Sequence, residues 1–160
     1  MHVADFGSGS GAYVFAMAQE LAGAGVVYAI DVQKDLLRRI RNEAHQRGLN
    51  TVHIIWGDLE KPHGSKLADK SQDIVLISNM LFQIEDKAQV FKEAQRIIKP
   101  HGKLAVIDWS ESFGGMGPIR HHVVTKDAAI AFAETNGFAR TDEFAAGAHH
   151  YGLIFKARHA

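Results

Sequence analysis

The stretch His2-Val-Ala-Asp-Phe-Gly-Ser-Gly-Ser-Gly-Ala12 decides how this chain is read. A short apolar strand runs into glycines at positions 7, 9 and 11, and a helix-forming run from Ala12 to Leu21 follows at once. Strand, glycine turn and helix together let backbone N–H groups and a helix N-terminus approach a polar, partly anionic ligand. A Cβ at Gly7 or Gly9 would obstruct both the turn and that approach. Asp5 sits inside the strand, just before the turn. An acid there repels a doubly negative pyrophosphate and welcomes a ligand that carries positive charge.

Strand-like and helix-like runs alternate outward from this segment. Strands are predicted near 2–6, 26–31, 52–56, 73–78 and 103–108, all apolar and rich in Val and Ile, as buried parallel strands are. Helices are predicted near 11–23, 33–47 and 86–98. The second places Leu36, Leu37, Ile40 and Ala44 on one face. Gly48 is read as its stop, and Lys99-Pro100 as the end of the third helix. The link from Gly57 to Gln72 is polar, with at most one short helical turn. Repeated βα units imply a right-handed, doubly wound α/β sheet. After a helix over 125–136, two closely linked strands near 139–145 and 149–157 make an antiparallel hairpin.

The chain of 160 residues reads as one domain, 1–160, large enough to bury its own core. Lys+Arg and Asp+Glu are both 18, so no overall field draws it to nucleic acid or an anionic membrane. It has no cysteine, which removes disulfides and thiol nucleophiles and fits a cytoplasmic location. No apolar run reaches membrane-spanning length. The first strand begins at once, so no signal peptide and no N-terminal helical cap is expected ahead of the fold.

In open α/β sheets, ligands bind where strands end at the switch in strand order. Those ends give Asp5 and the glycine turn, then Asp31, then Gly57-Asp58-Leu59, then Ser78-Asn79. Asp31 lies about twenty residues past the loop, where a carboxylate can accept two ribose hydroxyls. Simpler roles exist for each. Asp31 also suits a helix N-cap before Gln33, and Asp58 an Asx turn.

Jointly, these residues resemble class I S-adenosylmethionine-dependent methyltransferases over nearly the whole chain. Asp5-Phe-Gly-Ser-Gly-Ser-Gly11 is similar to that family's first motif, and Tyr28-Ala-Ile-Asp31-Val32 to its second-strand acid with the apolar residue that packs on adenine. Gly57-Asp58-Leu59 resembles the third motif, whose acid meets the adenine amino group. Asp73 to Asn79 resembles the fourth strand, whose end closes over the methionine moiety. Ile97 to Ile107 resembles the turn into strand five, with His101 where a second glycine is commoner. The run from Asp73 to Trp109 looks closest to the small-molecule branch that includes quinone-biosynthesis enzymes. The resemblance implies a Rossmann-like sheet of order 3-2-1-4-5-7-6 and S-adenosylmethionine as cofactor, with S-adenosylhomocysteine as product. It also implies a cofactor site of Asp5, Gly7, Ser8, Gly9, Gly11, Asp31, Val32, Gly57, Asp58, Leu59, Ser78 and Asn79.

Two other readings stand beside it. Gly7-Ser-Gly-Ser-Gly-Ala12 also satisfies the dinucleotide pattern, but Asp5 argues against pyrophosphate, so NAD(P) is the weaker alternative. A binding subunit or sensor that holds S-adenosylmethionine without turnover is the other.

Methyl transfer is an in-line displacement, so a base is needed only where the acceptor must lose a proton. The candidates are Asp108, Glu111, His121, His122, His149 and His150, with the hairpin turn favouring the last two. The histidine pairs lack helical i, i+4 spacing, so no metal site is expected. The acceptor is expected to be a small molecule. The acceptor side is expected to be open, or completed by a second copy or a partner subunit. A chain that is a piece of a longer protein gives the same reading.

Overall fold

The computed structural model describes residues 1–158. Seven strands form one sheet: β1 (His2–Phe6), β2 (Val26–Asp31), β3 (Val52–Trp56), β4 (Gln72–Ser78), β5 (Ile98–Trp109), β6 (Phe138–Ala145) and β7 (His150–Ala157). Their order is β3-β2-β1-β4-β5-β7-β6. β1 to β5 run parallel, while β7 lies antiparallel to both β5 and β6. The sheet is the α/β, mostly parallel one expected, and its order is 3-2-1-4-5-7-6. The chain leaves β1 toward β2 and β3, then returns to place β4 on the other side of β1. That reversal opens a crevice above the carboxyl ends of β1 and β4.

Four helices cover the two faces: α1 (Ala12–Leu21), α2 (Lys34–Gln46), α3 (Lys87–Ile97) and α4 (Lys126–Thr135). One core joins Val14, Phe15 and Ala18 of α1 and Leu37, Ile40 and Ala44 of α2 to Val27 and Ala29 of β2. The other joins α3 and α4 to the opposite side of the sheet through Phe6, Ile77, Val106 and Phe155, all fully buried. Period-two alternation in the strands sends neighbours to opposite cores. Thr125 caps α4 by accepting from Ala128 N–H, and Asp86 caps α3 by accepting from Gln89 N–H.

Two boundaries differ from the sequence reading. α3 ends at Ile97 and β5 begins at Ile98, so Lys99-Pro100 lies within a strand. The pairing jumps from Gln72↔Ile98 to Ile74↔Lys103, and residues 99–102 make an excursion between these two pairs. Gly102 permits that path, because a Cβ there would lie 2.5 Å from Ile98 Cγ1.

The link between β3 and β4 contains no helix, in keeping with its polar sequence. Buried polar contacts pin it. Glu93 of α3, itself buried, accepts from Ser65 N–H at 3.1 Å, Ser65 O–H at 2.6 Å and Arg96 Nη2 at 2.6 Å. Arg96 also donates to Leu67 O and Asp69.

Candidate active site

The crevice at the switch point is a hollow of about 420 Å³. Its floor is the glycine turn and the start of α1. One wall is the β2 end, with Asp31, Val32 and Gln33. The opposite side combines Gly57 to Glu60 with Ser78, Asn79 and Met80.

The turn is a left-handed path that glycine alone takes without strain: Gly7, Gly9 and Gly11 have φ of 73°, 55° and 90°. Asp31 ties it down. Its Oδ2 accepts from Gly9 N–H at 2.9 Å, and its Oδ1 accepts from Gln33 N–H at 3.0 Å. The carboxylate therefore bridges the glycine loop and the approach to α2, rather than capping that helix. Asp58 does form the Asx turn, its Oδ1 accepting from Glu60 N–H at 3.0 Å, and it still lines the hollow. Glu60 Oε1 in turn accepts from Glu85 and Asp86 N–H, which fixes this wall to the start of α3.

Two of the twelve expected site residues are not in the lining. Asp5 is buried beneath the turn, because β1 is a central strand covered on both faces. Burial, and then the charge of Asp31, push its carboxyl up to about 8. At neutral pH it is mostly protonated, so attraction for a cation falls to Asp31, Asp58 and Glu60 at the surface of the hollow. Gly11 is spared a side chain for packing: a Cβ would lie 2.8 Å from Ile40 Cγ1 and 3.1 Å from Phe15. The other ten line the hollow. The sequence reading missed Ser10, Ala12, Tyr13, Gln33, Glu60, Met80, Gln83 and Ile84. The last three stand on or beside a short 3-10 turn, Leu81–Gln83, that no periodicity announces.

Asp5 gives a direct test. Its folded pKa is raised, so ionising it opposes folding, and stability falls as pH climbs from about 4 to about 8. Asp5→Asn is expected to leave donor affinity within about threefold. Its melting temperature is expected to gain on the parent as pH rises from 5 to 9. A difference independent of pH in thermal melts would contradict the burial account.

The residues fit a ligand with a split character. Ser8 Oγ and Asn79 Oδ1, both on the hollow, are buried without a hydrogen-bond partner. A Cβ on Gly9 would meet nothing within 4 Å, so this face of the loop is open. Gly11 at the N-cap of α1 offers no side-chain cap, which leaves the first-turn N–H groups at Ala12 and Tyr13 on the hollow. Asn79 itself is left-handed, with φ 52°, at the end of β4.

The candidate bases separate cleanly. Asp108 is fully buried, and its oxygens accept from Leu81 N–H at 3.0 Å and from Trp109 N–H at 2.8 Å. Burial raises it to about 6 although these N–H groups and Lys87 pull the other way. It shapes the turn after β4 and does not line the hollow. His121 and His122 stand exposed on a 3-10 turn, Arg120–His122. His150 packs on Trp109 at 4.1 Å between ring centroids, and burial followed by the neighbouring His149 lowers its pKa. His149 Nδ1 lies 3.0 Å from Glu111 Oε1.

Fold and crevice together define a Rossmann-like domain whose acid-lined crevice lies at the switch point of a seven-stranded sheet. The family model described as "Methyltransferase domain" matches residues 1–147, and the chain belongs to that family, within the class I S-adenosylmethionine-dependent methyltransferases. A demethylmenaquinone methyltransferase of Listeria welshimeri is 32% identical over 111 residues, covering 69% of this chain and 45% of the relative. An arsenite methyltransferase of Aquipseudomonas alcaligenes is 31% identical over 110 residues, covering 66% and 32%. The chain thus spans less than half the length of these curated relatives. The crystal structure of an S-adenosylmethionine-dependent methyltransferase from Aquifex aeolicus superposes with a TM-score of 0.88 at 24% identity, covering 98% of this chain and 82% of that one.

Proposed function

We propose that the chain holds S-adenosylmethionine in the 420 Å³ hollow and directs its methyl group to a small-molecule acceptor. The observation that carries this is convergence: an uncapped helix N-terminus and three carboxylates, Asp31, Asp58 and Glu60, meet in one hollow. The donor is split in the same way. Its carboxylate suits the uncapped N–H groups of the first turn of α1, because those of Gly7, Ser8 and Gly9 already donate to Ile30 O and Asp31. Asp31 takes the ribose hydroxyls, which its place at the end of β2 favours. Val32, 55% exposed on the hollow, offers an apolar surface to adenine, with Leu59 behind the opposite wall. Asp58, on the turn opened by Gly57, takes the adenine amine. Ser78 and Asn79 close on the amino-acid end, where the orphaned Asn79 Oδ1 suits an ammonium donor.

Bound donor supplies a methyl group on a sulfonium, already an excellent leaving group. The protein's share is to position and to exclude water, and the buried Met80, packed beside Gly7 in the wall of the hollow, gives it an apolar patch. The relatives are named for demethylmenaquinone and arsenite, both small acceptors, and this supports a small-molecule acceptor here. No helix among the described residues is long and apolar enough to cross a membrane, and our reading places the chain in the cytoplasm.

The test is incubation with methyl-labelled donor and either reduced short-chain demethylmenaquinone or arsenite with a thiol. Labelled product and S-adenosylhomocysteine are expected with one of them. Donor binding without turnover on any acceptor would favour a sensor over an enzyme.

A further inference from the structure

We propose that His149, oriented by Glu111, is the base that removes the acceptor's proton during methyl transfer. This rests on the donor site argued above. Glu111 opens the link after β5, and His149 immediately precedes β7. Antiparallel pairing of Trp109 with His150 brings these segments together, and Ser110 N–H donates to His149 O at 2.8 Å. The side chains then meet, with Nδ1 3.0 Å from Glu111 Oε1. The Phe113 ring stacks on the imidazole at 3.8 Å between centroids and 19° between planes. Two contacts thus fix the ring. A carboxylate at Nδ1 keeps the proton on that nitrogen and leaves the lone pair on Nε2.

Place in the sheet supports the role. β4, β5 and β7 are neighbours. Two strand spacings, about 10 Å in all, separate the β4 end at the hollow from the start of β7. A gap of that size suits one small ring between the donor and the imidazole. The other candidates lack this arrangement. Asp108 is committed to backbone N–H groups, and His121 and His122 make no hydrogen bond to a carboxylate among the described residues.

The step balances without a further reagent. The acceptor–methyl bond forms as the sulfur–methyl bond breaks, and that electron pair stays on sulfur to give the neutral thioether. With the reduced probe, the hydroxyl proton passes to Nε2 as the neighbouring ring carbon takes the methyl. The hydrogen on that carbon is then lost as the ring carbonyl regains a proton and the aromatic quinol is restored. Glu111 stabilises the imidazolium before its proton is lost to water. Glu111 is a positioning residue, since it acts through His149. The titratable groups facing His149 are Glu111 on the link and His150 on β7. Phe113, its other neighbour, is uncharged.

The experiment uses His149→Gln and Glu111→Gln with reduced short-chain demethylmenaquinone as probe, and calorimetry with S-adenosylmethionine alongside. His149 serves the fold through its backbone carbonyl, so both variants should fold. His149→Gln is expected to lose about 10²- to 10⁴-fold in kcat, with donor affinity within about twofold. Glu111→Gln is expected to lose about tenfold in kcat with the probe's KM within about twofold, and Glu111→Asp to recover part of that loss, because the carboxylate that orients the ring at Nδ1 is lost and then partly restored. Added imidazole should partly restore a His149→Ala variant. The proposal is overturned if His149→Gln keeps more than half of kcat with an unchanged pH profile. It is equally overturned if wild type binds donor yet does not turn the probe over. Failure of wild type to bind donor at all would instead overturn the donor site.

Discussion

Asp31→Ala is expected to weaken S-adenosylmethionine binding by between about tenfold and several hundredfold, the largest effect on affinity of any single side chain in the hollow. The carboxylate has two tasks. It accepts from Gly9 and Gln33 N–H groups, which holds the glycine loop against the end of β2, and it is the acceptor assigned to the ribose. Alanine abolishes both and frees two backbone donors. Asn keeps one acceptor oxygen and should fall between alanine and the parent. Calorimetry on the three proteins checks the order. Equal affinities for the parent and alanine forms would show that Asp31 organises the loop alone and meets no ligand.

Glu93→Ala is expected to cost about 3–5 kcal/mol of folding stability, because it strands a partly buried guanidinium and two Ser65 donors. Urea denaturation measures the loss. Its effect should reach the hollow as well, since Ser65 anchors the link that carries Gly57, Asp58 and Glu60. The pH dependence has a definite sign. Burial drives the Glu93 carboxyl up, but its bonds to Arg96 and Ser65 outweigh this and hold it below its ordinary value. Its stabilisation is therefore complete above the ordinary glutamate range and is lost as pH falls through the lower, folded value. The alanine variant should show a correspondingly shallower loss of stability in acid. Unchanged acid sensitivity would contradict the assignment.

Much of this was legible in the sequence because it depends on local pattern. The strand–glycine–helix unit, the amphipathic face of α2 with Leu37, Ile40 and Ala44, and the helix-free polar link all follow from spacing and composition. What escaped depends on the third dimension. Asp5 looked like a lip residue because it precedes the turn, yet a central strand buries both its faces, and the acid titrates accordingly. Gly11 looked like a ligand contact, but its missing Cβ is filled by Ile40 from the next helix. Glu93 and Arg96 stand three apart on α3, a spacing that any exposed helical ion pair shares. Only the path of the 57–72 link across them makes the pair a buried clamp. Asp108 sits at a strand end like Asp31, but the neighbouring turn at Leu81 claims its carboxylate. The pairing of Glu111 with His149, 38 residues apart, had no signal beyond the prediction that the hairpin turn faces the ligand.

The central claim is that this crevice selects a cationic sulfur nucleoside over a pyrophosphate. Titration calorimetry of the full chain with S-adenosylmethionine, S-adenosylhomocysteine and NAD tests it directly. Saturable heats with both sulfur ligands and none with NAD are the predicted result. Tight NAD binding, with no heat from S-adenosylmethionine, would contradict it.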